Sequence, residues 1–117
     1  MAPYERWDAW KVAYQFALAT YRETGSFPKH ELYGLTSQLR RAAFSVVLNI
    51  AEGSAKRGPR ELRRYLDIAL GSLAEVTCAL RLARDLGFLS NDAWSKLEEL
   101  RDHAGACTWK LYRALGR

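Results

Sequence analysis

The chain contains the stretch LTSQLRRAAFSVVLNIAEGSAKRGPRELRR, residues 35–64, which predicts a helix, a tight turn and the start of a second helix. Apolar residues in its first part recur every three or four positions and cover more than one side of the helix. Gly53 and Gly58 bracket the end of this helix. Pro59 suits the first turn of the next helix, where a missing N–H is no loss. A helix that is apolar on two sides indicates one set of partners inside the monomer and a second set outside it.

The rest of the chain has the same helical periodicity. Helices are predicted over residues 7–24, 35–56, 59–86 and 91–115, and no segment alternates as a half-buried strand does. Short connections between long helices imply antiparallel neighbours. The sequence therefore predicts an all-α protein, an antiparallel up-down-up-down four-helix bundle, with residues 1–117 as one domain.

Several details of this bundle are specific predictions. Thr36 and Ser90 are expected as N-caps of the second and fourth helices, and Gly87 as the residue that follows the third. Cys78 and Cys107 lack metal-ligand spacing, so both are expected as small buried thiols. The buried face predicted for the first helix comprises Trp7, Trp10, Tyr14, Ala17, Leu18 and Tyr21.

The composition is that of a globular, basic protein. Of its 117 residues 49% are apolar, and the formal net charge is +5 at pH 7. The apolar fraction argues against disorder, and the charge permits nucleic acid or an acidic protein as partner. No signal peptide or membrane span is evident, so we expect a cytoplasmic protein with no membrane partner.

Positive charge is concentrated in the turn after the second helix, which we call the basic turn. Its cations are Lys56, Arg57, Arg60, Arg63 and Arg64. Antiparallel topology places both chain ends beside this turn, and we call that half of the bundle the basic end. It holds ten basic and five acidic side chains, whereas the other half holds eight of each, so the whole net charge of +5 falls at one end.

The basic turn favours contact with RNA phosphates, and these five residues are the candidate nucleic-acid-binding set. The alternative is that the charges are solvated and only keep the protein soluble. Tyr65 is the one aromatic residue in the turn, so base stacking there has little support. Any RNA binding should therefore depend on the phosphate backbone and on salt.

Polar residues of the second and third helices predict structural contacts. Arg40 or Arg41 is expected to pair with a carboxylate such as Glu75, because a lone acid in an apolar helix needs a partner. Asn49 and Glu52 share a helix face. They are expected to form a polar clasp at the corner, in which Glu52 meets an arginine of the basic turn, Arg57 or Arg60. A ligand site at the same two residues is the alternative.

Signals for catalysis are nearly absent from the sequence. His30 lies between the first two predicted helices, and His103 lies on the fourth. The chain lacks a glycine-rich phosphate loop, a nucleophile elbow and the repeated Glu-x-x-His pairs of di-iron bundles. We therefore expect no enzyme activity, no metal and no cofactor.

A run of residues in the second helix carries a resemblance to a known family. The matching residues are Tyr33-Gly34-Leu35, Gln38, Arg40-Arg41-Ala42-Ala43, Ser45 and Asn49-Ile50-Ala51-Glu52-Gly53. Further matches are Phe27-Pro28, Ile68-Ala69, Gly71-Ser72-Leu73, Glu75 and Leu86-Gly87. The chain resembles the bacterial four-helix bundle proteins encoded by intervening sequences of 23S rRNA genes, the S23-type family. It resembles more distantly the accessory bundle protein of diversity-generating retroelements.

The resemblance implies a ring-like homopentamer whose molecular role is undefined in the family. The retroelement relative binds a reverse transcriptase and RNA. The motif residues Arg40, Arg41, Asn49, Glu52, Gly53 and Glu75 are expected to be structural. Phe44 and Leu48 are expected at an oligomer interface, because they widen the apolar surface of the second helix beyond one stripe.

Two functions follow from these observations. The first is a non-catalytic accessory or scaffold protein that contacts RNA or a ribonucleoprotein through the basic end. The second is an adaptor without direct RNA contact, whose basic end docks an acidic protein partner such as a reverse transcriptase-type enzyme.

Overall fold

The computed structural model describes residues 2–116, and four long α-helices account for most of them. They are α1 (Asp8–Thr24), α2 (Leu35–Ser54), α3 (Gly58–Asp85) and α4 (Asn91–Ala114). Single-turn 3-10 helices lie at Pro3–Arg6 and Lys29–Glu31. Residues 2–116 contain no strand, and each long helix begins and ends within two residues of its predicted position.

Side-chain contacts show that neighbouring helices run antiparallel. The Ser45 hydroxyl lies 2.9 Å from that of Ser72, linking α2 to α3. Earlier in α2, Gln38 donates a hydrogen bond to Glu75, which lies later in α3. Two pairs in opposite order, Arg63–Tyr112 and Arg84–Trp94, show the same for α3 and α4. Arg40 contacts Thr24 and so joins the start of α2 to the end of α1, as a short connection between antiparallel helices requires. The up-down-up-down four-helix bundle is therefore confirmed.

The core lies along the axis where the four helices meet. Its largest fully buried side chains are Phe16, Leu39, Ile50, Leu66, Leu80 and Leu97. Apolar residues of α3 recur in steps of four and three, and the sequence predicts these as its core face: Leu62, Leu66, Ala69, Leu73, Val76, Leu80 and Ala83. All of them are buried except Leu62, which is partly exposed. Steps of three and four residues thus identified the core face of α3 correctly.

The buried face of α1 differs from the predicted one. It consists mainly of small residues: Ala9, Ala13, Phe16, Ala17, Thr20 and Thr24. Tyr14 and Tyr21 are exposed instead, and Trp10 stacks on Tyr14 with ring centroids 4.9 Å apart. The prediction was wrong for these aromatic residues because α1 carries two stripes at helical spacing. Small side chains let the neighbouring helices pack close to α1, so Tyr14 and Tyr21 lie outside, while Trp7 and Trp10 pack partly buried against the core.

Helix ends agree with the predictions except at the start of α2. Ser90 accepts a hydrogen bond from the backbone N–H three residues later, at 3.1 Å. Gly87 has a φ of +79°, as expected of a glycine that follows a helix. The predicted cap at Thr36 is wrong, because Thr36 is buried inside α2. The Glu31 carboxylate instead accepts a hydrogen bond from the N–H of Leu35 at 3.0 Å.

The two cysteines are less buried than predicted. Cys78 is exposed on α3, and Cys107 is partly buried on α4. Burial raises the pKa of the Cys107 thiol, and the carboxylate of Asp8 adds a smaller effect in the same direction. The expectation of two buried thiols is therefore wrong for Cys78, which lies on a face of α3 that no other helix covers.

Candidate nucleic-acid interface

The basic turn is held by a close crossing of α2 and α3. Gly53 is buried there, and a Cβ atom added to it would lie 2.8 Å from Tyr65 Cβ and 2.9 Å from Leu62 Cδ1. Only residues 55–57 connect the two helices. Gly58 then takes a φ of +82°, and Pro59 occupies the first turn of α3 as predicted. Glycine at position 53 thus lets the chain turn tightly and project its cations outward.

Three cations of the basic turn are exposed and unpaired. Within residues 2–116, Lys56, Arg57 and Arg60 form no salt bridge. Lys56 Nζ lies 5.5 Å from the centroid of the Tyr65 ring. These three side chains can therefore reach a ligand without losing an acidic partner.

The fourth and fifth cations have partners within the bundle. Arg64 Nε lies 3.0 Å from a Glu61 carboxylate oxygen, and its guanidinium is 4.7 Å from the Tyr65 ring centroid. The hydrogen bond from Arg64 to Glu61 raises the pKa of the arginine, with their charge attraction as a second cause. Arg63 is partly buried, 4.3 Å above the ring of Tyr112, so it links α3 to α4. Of the five predicted cations, Lys56, Arg57 and Arg60 are therefore free. Arg64 is paired with Glu61, and Arg63 packs on Tyr112.

The ends of α1 and α4 meet beside this turn. Trp7 and Asp8 line one cleft together with Lys110 and Ala114. Arg63 of the turn reaches Tyr112 of α4. The helix ends that the antiparallel topology was predicted to bring together are therefore neighbours, although Arg117, counted at the basic end, lies outside the described residues.

Within residues 2–116 neither Arg40 nor Arg41 forms the ion pair with Glu75 that was predicted for one of them. Arg40 donates hydrogen bonds to Thr24 Oγ1 at 2.8 Å and to the Tyr21 carbonyl at 3.2 Å. Arg40 lies on the α1 side of α2, whereas Glu75 lies across the α3 side and accepts from Gln38. Arg41 lines the same groove as Glu75, but the two form no salt bridge within residues 2–116. Arg40 therefore ties α2 to α1.

The predicted polar clasp at the corner is also absent from residues 2–116. Asn49 donates hydrogen bonds back to Ser45, at 2.8 Å to its carbonyl and 3.0 Å to its hydroxyl. Glu52 is exposed and forms no salt bridge with Arg57 or Arg60. The corner is closed by apolar packing around Gly53, so no side-chain clasp is needed.

An apolar face is left uncovered on α1 and α2. Phe44 and Leu48 of α2 are 40% and 49% exposed. Phe44 joins Tyr14, Leu18 and Tyr21 of α1 around a cleft of about 230 Å³. We call these five side chains the apolar face. Large apolar side chains that gather on one surface are typical of an interaction site.

One aromatic residue near the basic turn was missed by the sequence reasoning. Trp109 of α4 is 49% exposed and stacks on Tyr112, with ring centroids 5.5 Å apart and planes at 13°. Tyr112 in turn contacts Arg63 of the basic turn. Tyr65 is the one aromatic residue close to these cations in the sequence, whereas Trp109 is far from them along the chain. The place of Trp109 near the basic turn could have been inferred from the antiparallel topology, which puts the last turns of α4 beside the start of α3.

The described part of the chain offers few other sites. Among residues 2–116 no group of three or more His, Cys, Asp or Glu side chains is placed to hold a metal ion. Across the same residues, every helix is too short or too polar to span a bilayer.

The fold and the exposed cations of the basic turn define a small antiparallel helical bundle protein. A family model described as "23S rRNA-intervening sequence protein" matches residues 5–108, nearly the whole chain. The chain therefore belongs to the 23S rRNA-intervening sequence protein family, which confirms the resemblance carried by the α2 motif. A search of curated proteins found no significant match.

Proposed function

We propose that this protein is a non-catalytic, oligomeric accessory protein of the bacterial cytoplasm that contacts RNA, or a ribonucleoprotein, through its basic end. One observation carries the proposal: Lys56, Arg57 and Arg60 are exposed together at one hairpin without a salt-bridge partner among the described residues. The proposed lack of catalysis rests on the small helical fold and on the family.

The start of α3 adds to the positive charge of the hairpin. Its first N–H groups receive no hydrogen bond acceptor from the side chain of the N-cap residue, Arg57. Free N–H groups carry the positive end of the helix dipole, so the backbone and the side chains attract the same anion. Phosphates of a nucleic acid backbone supply such anions at regular spacing.

We infer that the excess charge of the chain is concentrated around this hairpin. Among residues 2–116 the basic end holds nine basic and five acidic side chains, against eight of each in the other half. Charge concentrated on one side of a small protein orients it toward a polyanion and raises its association rate.

We further propose that copies of the chain assemble through the apolar face. Its side chains lie on α1 and α2, along the sides of the bundle, whereas the basic turn lies at one tip. Assembly through the sides leaves the tip free. In a ring such as the homopentamer that the family resemblance implies, with all subunits oriented alike, the basic turns would lie along one rim.

The test is RNA binding by the purified protein across a salt series, followed by fluorescence anisotropy, with the mass measured by light scattering in the same buffers. The variant Arg57→Glu/Arg60→Glu removes two of the free cations of the basic turn. The matched control Arg22→Glu/Arg81→Glu makes the same charge change at exposed positions in the other half. Loss of two phosphate contacts should reduce the slope of log K against log salt by roughly 1.4 for a single strand.

Each result separates the candidate functions. Salt-sensitive binding that is weakened by the turn variant, and much less by its control, supports the proposal. Equal weakening by both variants would mean that net charge alone drives binding. An oligomer that does not bind RNA at physiological salt would favour the adaptor, with an acidic protein surface docked at the basic end.

A further inference from the structure

The exposed ring of Trp109 belongs to a layered group of side chains. Tyr112 contacts both neighbours: its ring is stacked with Trp109 at 5.5 Å, and the Arg63 guanidinium lies 4.3 Å from its centroid. Arg63 is one helical turn from Arg60, which belongs to the free cations of the basic turn. The aromatic group is therefore continuous with the candidate phosphate-binding surface.

Cations also flank Trp109 on its own helix. Trp109, Lys110 and Arg113 line one shallow, open cleft of about 330 Å³. Trp109 and Arg113 are four residues apart, so they share a face of α4. Lys110 and Arg113 are exposed and form no salt bridge within residues 2–116. An aromatic face beside two free cations can hold a planar group attached to an anion.

We propose that Trp109 stacks on a base of a single-stranded nucleic acid, while Lys110 and Arg113 bind the adjacent phosphates. The inference rests on the proposed function, because it assigns a strand type and a base contact to the same basic end. Bases of a single strand are free to stack on protein aromatic side chains, whereas those of a duplex are stacked on one another. The basic end should therefore prefer single strands to duplexes.

Burial of Trp109 would be the ordinary state of a tryptophan, and the bundle provides a comparison. Trp94, on the same helix, is only partly exposed, and the guanidinium of Arg84 lies 4.4 Å from its ring centroid. Trp109 stacks on a ring beneath it but has about half of its surface in solvent. Its position at the basic end, with free cations beside it, favours a nucleic acid over an apolar partner.

The test compares Trp109→Ala with the wild-type protein on three labelled probes of one length: an unstructured RNA strand, an abasic strand and an RNA duplex. Loss of one base-stacking contact should reduce affinity for the RNA strand about 5- to 150-fold. The slope of log K against log salt should not change, because no ionic contact is removed. The abasic strand should bind both proteins equally, and Trp109→Phe should retain part of the affinity.

The control variant is Tyr33→Ala, which removes an aromatic side chain that is 93% exposed and lies outside the basic end. It should leave the affinity for RNA unchanged. An equal loss of affinity for RNA and abasic strands in Trp109→Ala would overturn the stacking inference. So would a changed oligomer mass, which would make Trp109 a subunit contact. If Arg57→Glu/Arg60→Glu weakens binding while Trp109→Ala does not, the proposed function stands and only the stacking inference fails.

Discussion

Replacing Gly53 with alanine should destabilise the bundle although alanine is the better helix former. The added Cβ would lie 2.8 Å from Tyr65 Cβ and 2.9 Å from Leu62 Cδ1, whereas carbon atoms in contact are normally about 3.5–4.0 Å apart. Tyr65 Cβ is bonded to the backbone, so α2 and α3 must move apart to relieve the clash. Such overpacking costs about 1–3 kcal/mol, and the better helix propensity of alanine returns at most about 1 kcal/mol.

Gly71 provides the matched control for this change. It lies in the middle of α3 and is exposed, and a Cβ added there would have no neighbour within 4 Å. Gly71→Ala should therefore stabilise the protein by about 1 kcal/mol, the full helix propensity. Urea unfolding of both variants at one protein concentration should give Gly53→Ala a free energy of unfolding about 1–3 kcal/mol below that of Gly71→Ala. Equal stability would refute the close crossing as the reason for glycine at position 53.

Two further substitutions test other parts of the structure. Leu48→Glu places a charge on the apolar face. The mass measured by light scattering should fall to that of a monomer, while the helical circular dichroism stays unchanged. An oligomer of wild-type mass would exclude this face as the interface. Arg40→Met removes the hydrogen bonds to Thr24 and Tyr21 and should lower the free energy of unfolding by about 1–3 kcal/mol. Arg41→Met should be nearly neutral, because Arg41 forms no salt bridge within residues 2–116. A larger loss of stability in Arg41→Met than in Arg40→Met would contradict the contacts assigned to Arg40.

The core face of α3 could be predicted from the sequence because this helix has one dominant apolar stripe. In α3 the apolar residues from Leu66 to Ala83 leave a polar remainder, so periodicity fixes the face. In α1 two stripes compete, one of aromatic and one of small residues. Hydrophobicity alone favours burial of the aromatic stripe, whereas close packing buries the stripe of small residues. The outcome depends on where the neighbouring helices lie, which the sequence of α1 does not contain.

The candidate nucleic-acid interface was also predictable only in part. The cations of the basic turn are adjacent in sequence, so their clustering could be predicted without a structure. Their availability could not, because it depends on contacts such as those of Arg63 with Tyr112 and of Arg64 with Glu61. Trp109 is more than forty residues from the turn, and it becomes part of the site only through the packing of α4 on α3.

Assembly and RNA contact use different surfaces in this proposal, so they can be tested separately and also in combination. Leu48 lies on a side of the bundle and the basic turn at its tip, and Leu48→Glu therefore removes no phosphate contact directly. A monomer nevertheless presents one basic end, whereas an oligomer presents several to the same strand. Several linked contacts bind more tightly than one, by up to about 10²–10⁴-fold when the geometry allows them all. RNA affinity should therefore fall in Leu48→Glu, and affinity that is independent of assembly would mean that each strand engages a single subunit.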